Sequence, residues 1–174
     1  MHSDRVGVVD FPTLGDLHDA WIERHCRIPD GFKRRRPFVE YDRQFWVTAN
    51  RGRIREDAVF DPEDPPLNQA FTYRRVEVID GQKVGKGPWA ACVAALMACG
   101  PDEFGGWAGR GDVYECEDHG CLCGWYYEYE RGEPMGVRHP SPLVQCLATS
   151  EDQVANVWRP LTAMIHFGPL GKLL

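Results

Sequence analysis

The stretch FTYRRVEVIDGQKVGKGPWAACVAALMAC, residues 71–99, decides how the rest of the chain is read. Tyr73, Val76, Val78 and Ile79 form a β-prone run ending at the turn pair Asp80-Gly81. The segment from Pro88 onward is small, apolar and helix-forming, with proline in a first-turn position where it is tolerated. Between the two lies GQKVGKG. A strand feeding a tight glycine turn into a helix aims backbone N–H groups and the positive helix end at an anion. The loop residues Gln82, Lys83, Val84, Gly85, Lys86 and Gly87 depart from the common phosphate-loop form, G-x-x-x-x-G-K-[S/T], in two places. The leading glycine, Gly81, comes one residue late, and Gly87 stands where a hydroxyl normally coordinates Mg²⁺. Gly85 admits close approach of phosphate, Lys86 reaches the β- and γ-phosphates as a point charge, and Lys83 is a second cation beside it. Without the hydroxyl, the metal needs another ligand or an extra water. The alternative reading is a structural strand-to-helix turn.

Upstream, Thr13 or Asp16 caps a helix through LHDAWIERHC, and Pro29, Gly31 and Pro37 break the pattern. A second short helix is expected at YDRQFWVTA, with Phe45 and Trp46 partly buried, before the rigid stop DPEDPP. Downstream, residues 101–142 read as irregular, apart from a strand at WYYEYE. A further strand is expected at PLVQCLA, residues 142–148. Ser150 and Gln153 then form a capping box that opens an amphipathic helix, which Pro160 kinks or divides. This order predicts an α/β fold with a parallel sheet and flanking helices.

At 174 residues, with 43% hydrophobic and 26% charged side chains, the composition is that of one soluble domain. No apolar run approaches the roughly 18 residues of a membrane span, and the opening residues lack the order of a secretory signal. The seven cysteines are accordingly expected as reduced thiols in a cytoplasm. A net charge of −6 argues against broad adhesion to DNA, and the densest basic run, Lys33 to Arg36, reads as a solvated linker.

Cys116, His119, Cys121 and Cys123 are spaced C-x₂-H-x-C-x-C, and all four are zinc-ligand types. One short loop would have to wrap the ion, so free thiols on a hairpin tip remain the alternative. His18, His25 and His166 lie on helical segments without paired ligands and read as structural. No Ser–His–Asp or Cys–His arrangement can be argued from sequence order.

The run from Phe71 to Ala108, ending in GPDEFGGWA, resembles the start of the ATPase of the large terminase subunits of tailed phages, especially those of actinobacteria. Residues 11–31 are similar to that family's helical lead-in, and residues 140–170 to the strand and helix after its Walker A helix. The resemblance implies a partial P-loop-type parallel sheet. It places a helical lead-in with an adenine-side segment at 1–66 and an incomplete ATPase core at 67–174, with a Cys-rich hairpin insertion at 108–140. It implies ATP and Mg²⁺ as ligands, Lys86 as the Walker A lysine, Gln44 near adenine, and phage DNA, portal and small terminase subunit as partners. An exposed helix glutamine is the other reading of Gln44. Neither an acidic Walker B strand nor a nuclease domain is recognisable in the sequence. The expectation is therefore a front fragment that binds nucleotide, does not turn it over alone and tends to self-associate. The alternative is a non-catalytic, zinc-stabilised interaction module with a decayed phosphate loop.

Overall fold

The computed structural model describes residues 9–172. Residues 1–8, part of the opening on which the lack of a secretory signal was read, lie outside the described residues. Helix α1, Gly15–His25, buries Leu17, Trp21 and Ile22. Its entry is fixed by Thr13, whose Oγ1 accepts from Gly15 N at 2.9 Å and donates to Ala49 O at 2.6 Å. That pair of bonds joins the start of α1 to the end of α2, Asp42–Arg51. In α2, Phe45 and Ala49 face inward, whereas Trp46, expected partly buried, is 60% exposed.

Helix α3, Lys86–Cys99, is apolar on nearly every side, as a helix covered all round should be. It packs against α1 and against α4, Glu151–Phe167. At the start of α4, Ser150 Oγ accepts from Gln153 N at 3.4 Å, while the Gln153 side chain turns to the Thr149 hydroxyl. Only the serine half of the expected box therefore forms. Pro160 neither ends nor divides α4, which runs through it.

Of the expected strands only WYYEYE forms one, at Tyr126–Glu128, and the rest of the strand pattern differs from expectation. β1, Glu103–Trp107, pairs antiparallel with β4, Pro134–Val137, across an irregularity between Phe104 and Gly106. β2, Val113–Glu115, pairs antiparallel with β3, Tyr126–Glu128. The architecture is thus mixed α/β, with four α-helices and two small antiparallel sheets among the described residues. The expected parallel sheet is not formed there. Residues 73–79 and 142–148 do not join a ladder, because a β-prone segment becomes a strand only when a neighbour supplies its inter-strand hydrogen bonds. Ile79, Leu143 and Leu147 on these segments are 94%, 81% and 88% exposed.

A single core unites Leu14, Leu17, Trp21, Ile54, Leu96, Phe104 and Met164 with Tyr114 of β2, Tyr127 of β3 and Tyr129. The region expected as an insertion is thereby built into the core, since β4 pairs with β1 and Gly136 backs directly onto Leu17 and Pro101. No helix among the described residues is long and apolar enough to cross a membrane.

Candidate functional site

The glycine loop reaches α3 through a sharp turn. Lys83 and Gly85 take left-handed backbone angles, φ 62° and 80°, and the helix begins at Lys86. A tight left-handed turn opening a helix leaves the first N–H groups without intrahelical acceptors. The Lys86 ammonium folds back over the loop and donates to the carbonyl oxygens of Asp80, at 2.6 Å, and Gly81. From α2, Arg43 pairs with the Asp80 carboxylate at 2.9 Å and reaches the Val84 carbonyl at 3.5 Å.

Beside the loop lies a cleft of ≈ 180 Å³, lined by Arg43, Gln44, Val47, residues 77–80, Val84, Lys86 and Trp89. Gln44 is buried and held by its own helix start, its Oε1 accepting from Tyr41 N at 2.9 Å. Its amide nitrogen points the other way, toward Gly85, where an added Cβ would sit 3.4 Å from it. The floor is rigid for an electrostatic reason. Buried Glu40 accepts from the Trp89 indole N–H of α3 and from the Thr48 hydroxyl of α2 at 2.7 Å, so one carboxylate pins both walls. The structure therefore gathers Gln44, Val84, Gly85 and Lys86 at one cleft, while Gln82 and Lys83 stand exposed on the outer side of the turn.

Gly87 has a packing reason. A Cβ there would lie 2.6 Å from the backbone oxygen of Asn156 in α4. That carbonyl receives no helical bond from Pro160, four residues on, because proline has no N–H. The position that lacks the Mg²⁺-binding hydroxyl is the place where two helices touch through backbone.

The second cluster is at the far end of α1. The Sγ atoms of Cys116, Cys121 and Cys123 lie 3.4, 3.6 and 3.4 Å from His25 Nε2, and all four ligand atoms fall within 4.8 Å of one another. This His/Cys₃ group can hold a metal such as zinc. Cys116 and His119 share a single 3₁₀ turn, after which left-handed Gly120 reverses the chain and lets Cys121 N donate to Cys116 O at 3.0 Å. The reversal brings the three sulfurs together. His119 is not the fourth member, since its ring stacks on Tyr114 with centroids 4.7 Å apart. His25, read from the sequence as structural, occupies that place instead.

The imidazole of His25 is tightly oriented. It stacks on Trp21 at 4.4 Å, meets Trp125 edge-on at 5.5 Å, and has Nδ1 2.8 Å from the Trp21 carbonyl. With Nδ1–H donating, Nε2 presents its lone pair to the sulfurs. Burial pulls the His25 pKa down to about 4, which keeps the ring neutral, and burial beside the neighbouring thiols pushes Cys116 up. Local spacing could not have revealed His25, because it lies 91 residues before Cys116. His166 is exposed near the end of α4, with its ring 5.5 Å from Phe167, and joins neither cluster. None of the seven cysteines is in a disulfide. No family model, no curated protein and no solved structure matches this chain.

Proposed function

We propose that this chain binds a nucleoside triphosphate at the loop of residues 81–87, as the front part of a DNA-packaging ATPase of the large-terminase type. The observation that carries the reading is the joint placement of Gly85, Lys86 and Gln44. A left-handed glycine opens a helix at a lysine, and a buried glutamine faces the same cleft. The Lys86 ammonium donates to the Asp80 and Gly81 carbonyls, so phosphate binding would exchange one set of oxygens for another around the same ammonium. With its Oε1 held by Tyr41 N, Gln44 offers its amide N–H₂ as a donor to a purine edge, and Trp89 and Val47 supply apolar surface for the ring.

The cleft is smaller than the roughly 300–1,000 Å³ of pockets that enclose drug-sized ligands. Binding then requires residues 77–84 to swing outward. They are largely exposed and belong to no sheet, so the cost of that motion is the Arg43–Asp80 pair and the Lys86 bonds. Phage DNA, a portal and a small terminase subunit are the partners this reading brings with it.

The test is a titration of the full chain with ATP, with and without Mg²⁺, for wild type and Lys86→Ala. Losing the ammonium should weaken binding at least about tenfold, the equivalent of about 1.4 kcal/mol. Equal affinities for the two proteins, or no binding to wild type, would refute the proposal. A second reading, a non-enzymatic module stabilised by metal, is favoured by the His/Cys₃ cluster, and a wild type that binds zinc but no nucleotide would select it.

A further inference from the structure

We infer that His25, Cys116, Cys121 and Cys123 form a closed structural zinc site that clasps the end of α1 to the Cys-rich segment. The inference is independent of the nucleotide reading. Tetrahedral zinc with Zn–S of about 2.3 Å and Zn–N of about 2.0–2.1 Å places each nitrogen–sulfur edge at about 3.6 Å. The three Nε2–Sγ separations here are 3.4, 3.6 and 3.4 Å, matching that edge on every side of the nitrogen. Hydrogen bonding does not explain the convergence. A neutral imidazole nitrogen offers one lone pair, which serves one thiol well and three thiols poorly. A cation at the centre engages all four atoms at once.

The surroundings are those of a structural site. The Trp21 carbonyl fixes the His25 tautomer from behind, the arrangement that orients most metal-bound histidines. Arg24, one residue earlier, donates to the Cys123 carbonyl at 2.7 Å and so ties the end of α1 to the loop that carries the third sulfur. Cys116 N–H donates to Trp125 O at 3.0 Å, closing the loop that carries the sulfurs. His25, Cys116 and Cys121 are 0%, 1% and 6% exposed, and four protein ligands complete a tetrahedron, leaving no open position for substrate. The site takes a soft divalent ion and does no chemistry on it. Its role is mechanical. It ties α1 to a segment with little regular structure of its own, joining positions 91 to 98 residues apart.

The experiment is metal analysis of the full chain, purified without chelator under reducing conditions, followed by cobalt substitution. Wild type should carry about one zinc per chain, and its cobalt form should show the visible absorption of a tetrahedral thiolate site. His25→Ala and Cys121→Ser should each bind the ion at least about tenfold more weakly. His119→Ala should keep both the zinc and the cobalt spectrum. Lys86→Ala also leaves all four ligands in place and should keep its zinc, so failure of the nucleotide site and of the metal site can be told apart. A wild type that carries no zinc and takes up none on titration overturns the inference. So does a His119→Ala variant that loses the metal while His25→Ala retains it. If a ligand variant does not fold, the wild-type cobalt spectrum together with His119→Ala still decides the matter.

Discussion

Gly87 shows how a single residue can look like a missing catalytic part and be required for packing. In the sequence it is the absent hydroxyl of a phosphate loop, and in the structure it is the contact of α3 with the Asn156 carbonyl. A serine at this position cannot act as a simple repair, because its Cβ would lie 2.6 Å from a backbone oxygen that only a helix shift can move. Gly87→Ser is expected to destabilise the chain by about 1–3 kcal/mol, the range for overpacking, without strengthening Mg²⁺-dependent nucleotide binding. Unchanged denaturant midpoints together with tighter Mg-nucleotide binding would show that the position is a lost ligand after all. The tight glycine turn that opens α3 at Lys86 was legible from the motif because it follows from local geometry. The purpose of Gly87 was not, because its partner lies on α4.

Among the elements, the α1–α2 contact sets two effects against each other. Gly15 is the first residue of α1, and a Cβ there would fall 2.6 Å from Ala49 Cα and 2.9 Å from its Cβ. Alanine gains up to about 1 kcal/mol of helix propensity over glycine in a helix interior, and less at a helix end. Overpacking against another backbone costs about 1–3 kcal/mol. Packing wins, so Gly15→Ala should lower the urea midpoint, and a raised midpoint would show that the helices separate freely. The helices themselves were readable from their apolar spacing and their breakers, α1, α2, α3 and α4 all falling where that pattern places them. Of the strands, only the one at WYYEYE was readable, Tyr126–Glu128 forming β3. The segments at 73–79 and 142–148 have strand composition without partners, while Gly-rich EFGGW, read as irregular, becomes β1 because β4 pairs with it.

For the molecule as a whole, His18 reports on the junction of α1, α2 and the turn before β1. It is fully buried, with Nε2 3.1 Å from the Pro101 carbonyl and 3.8 Å from Asp102, which is itself paired with Arg51 of α2. Burial, partly offset by Asp102, lowers its pKa from 6.5 to about 4. Between those two values the unfolded chain takes up a proton that the folded chain does not. Stability should therefore fall as pH drops through that window, by up to about 1.4 kcal/mol per pH unit from this group and about 3 kcal/mol in all. Unfolding measured between about pH 7 and about pH 4.5 should be less steeply pH-dependent in His18→Gln than in wild type. Equal slopes would mean that His18 is solvated when the chain is folded. The sequence by itself determined the helices, the glycine turn before Lys86 and the closeness of the three cysteines that meet His25, because each of these depends on residues close together in the chain. Only the tertiary structure decided that both small sheets are antiparallel, that Gly87 must stay small and that His25 rather than His119 faces the sulfurs. Those outcomes depend on which distant segments supply a hydrogen bond, a carbonyl or a lone pair, and no local pattern records that.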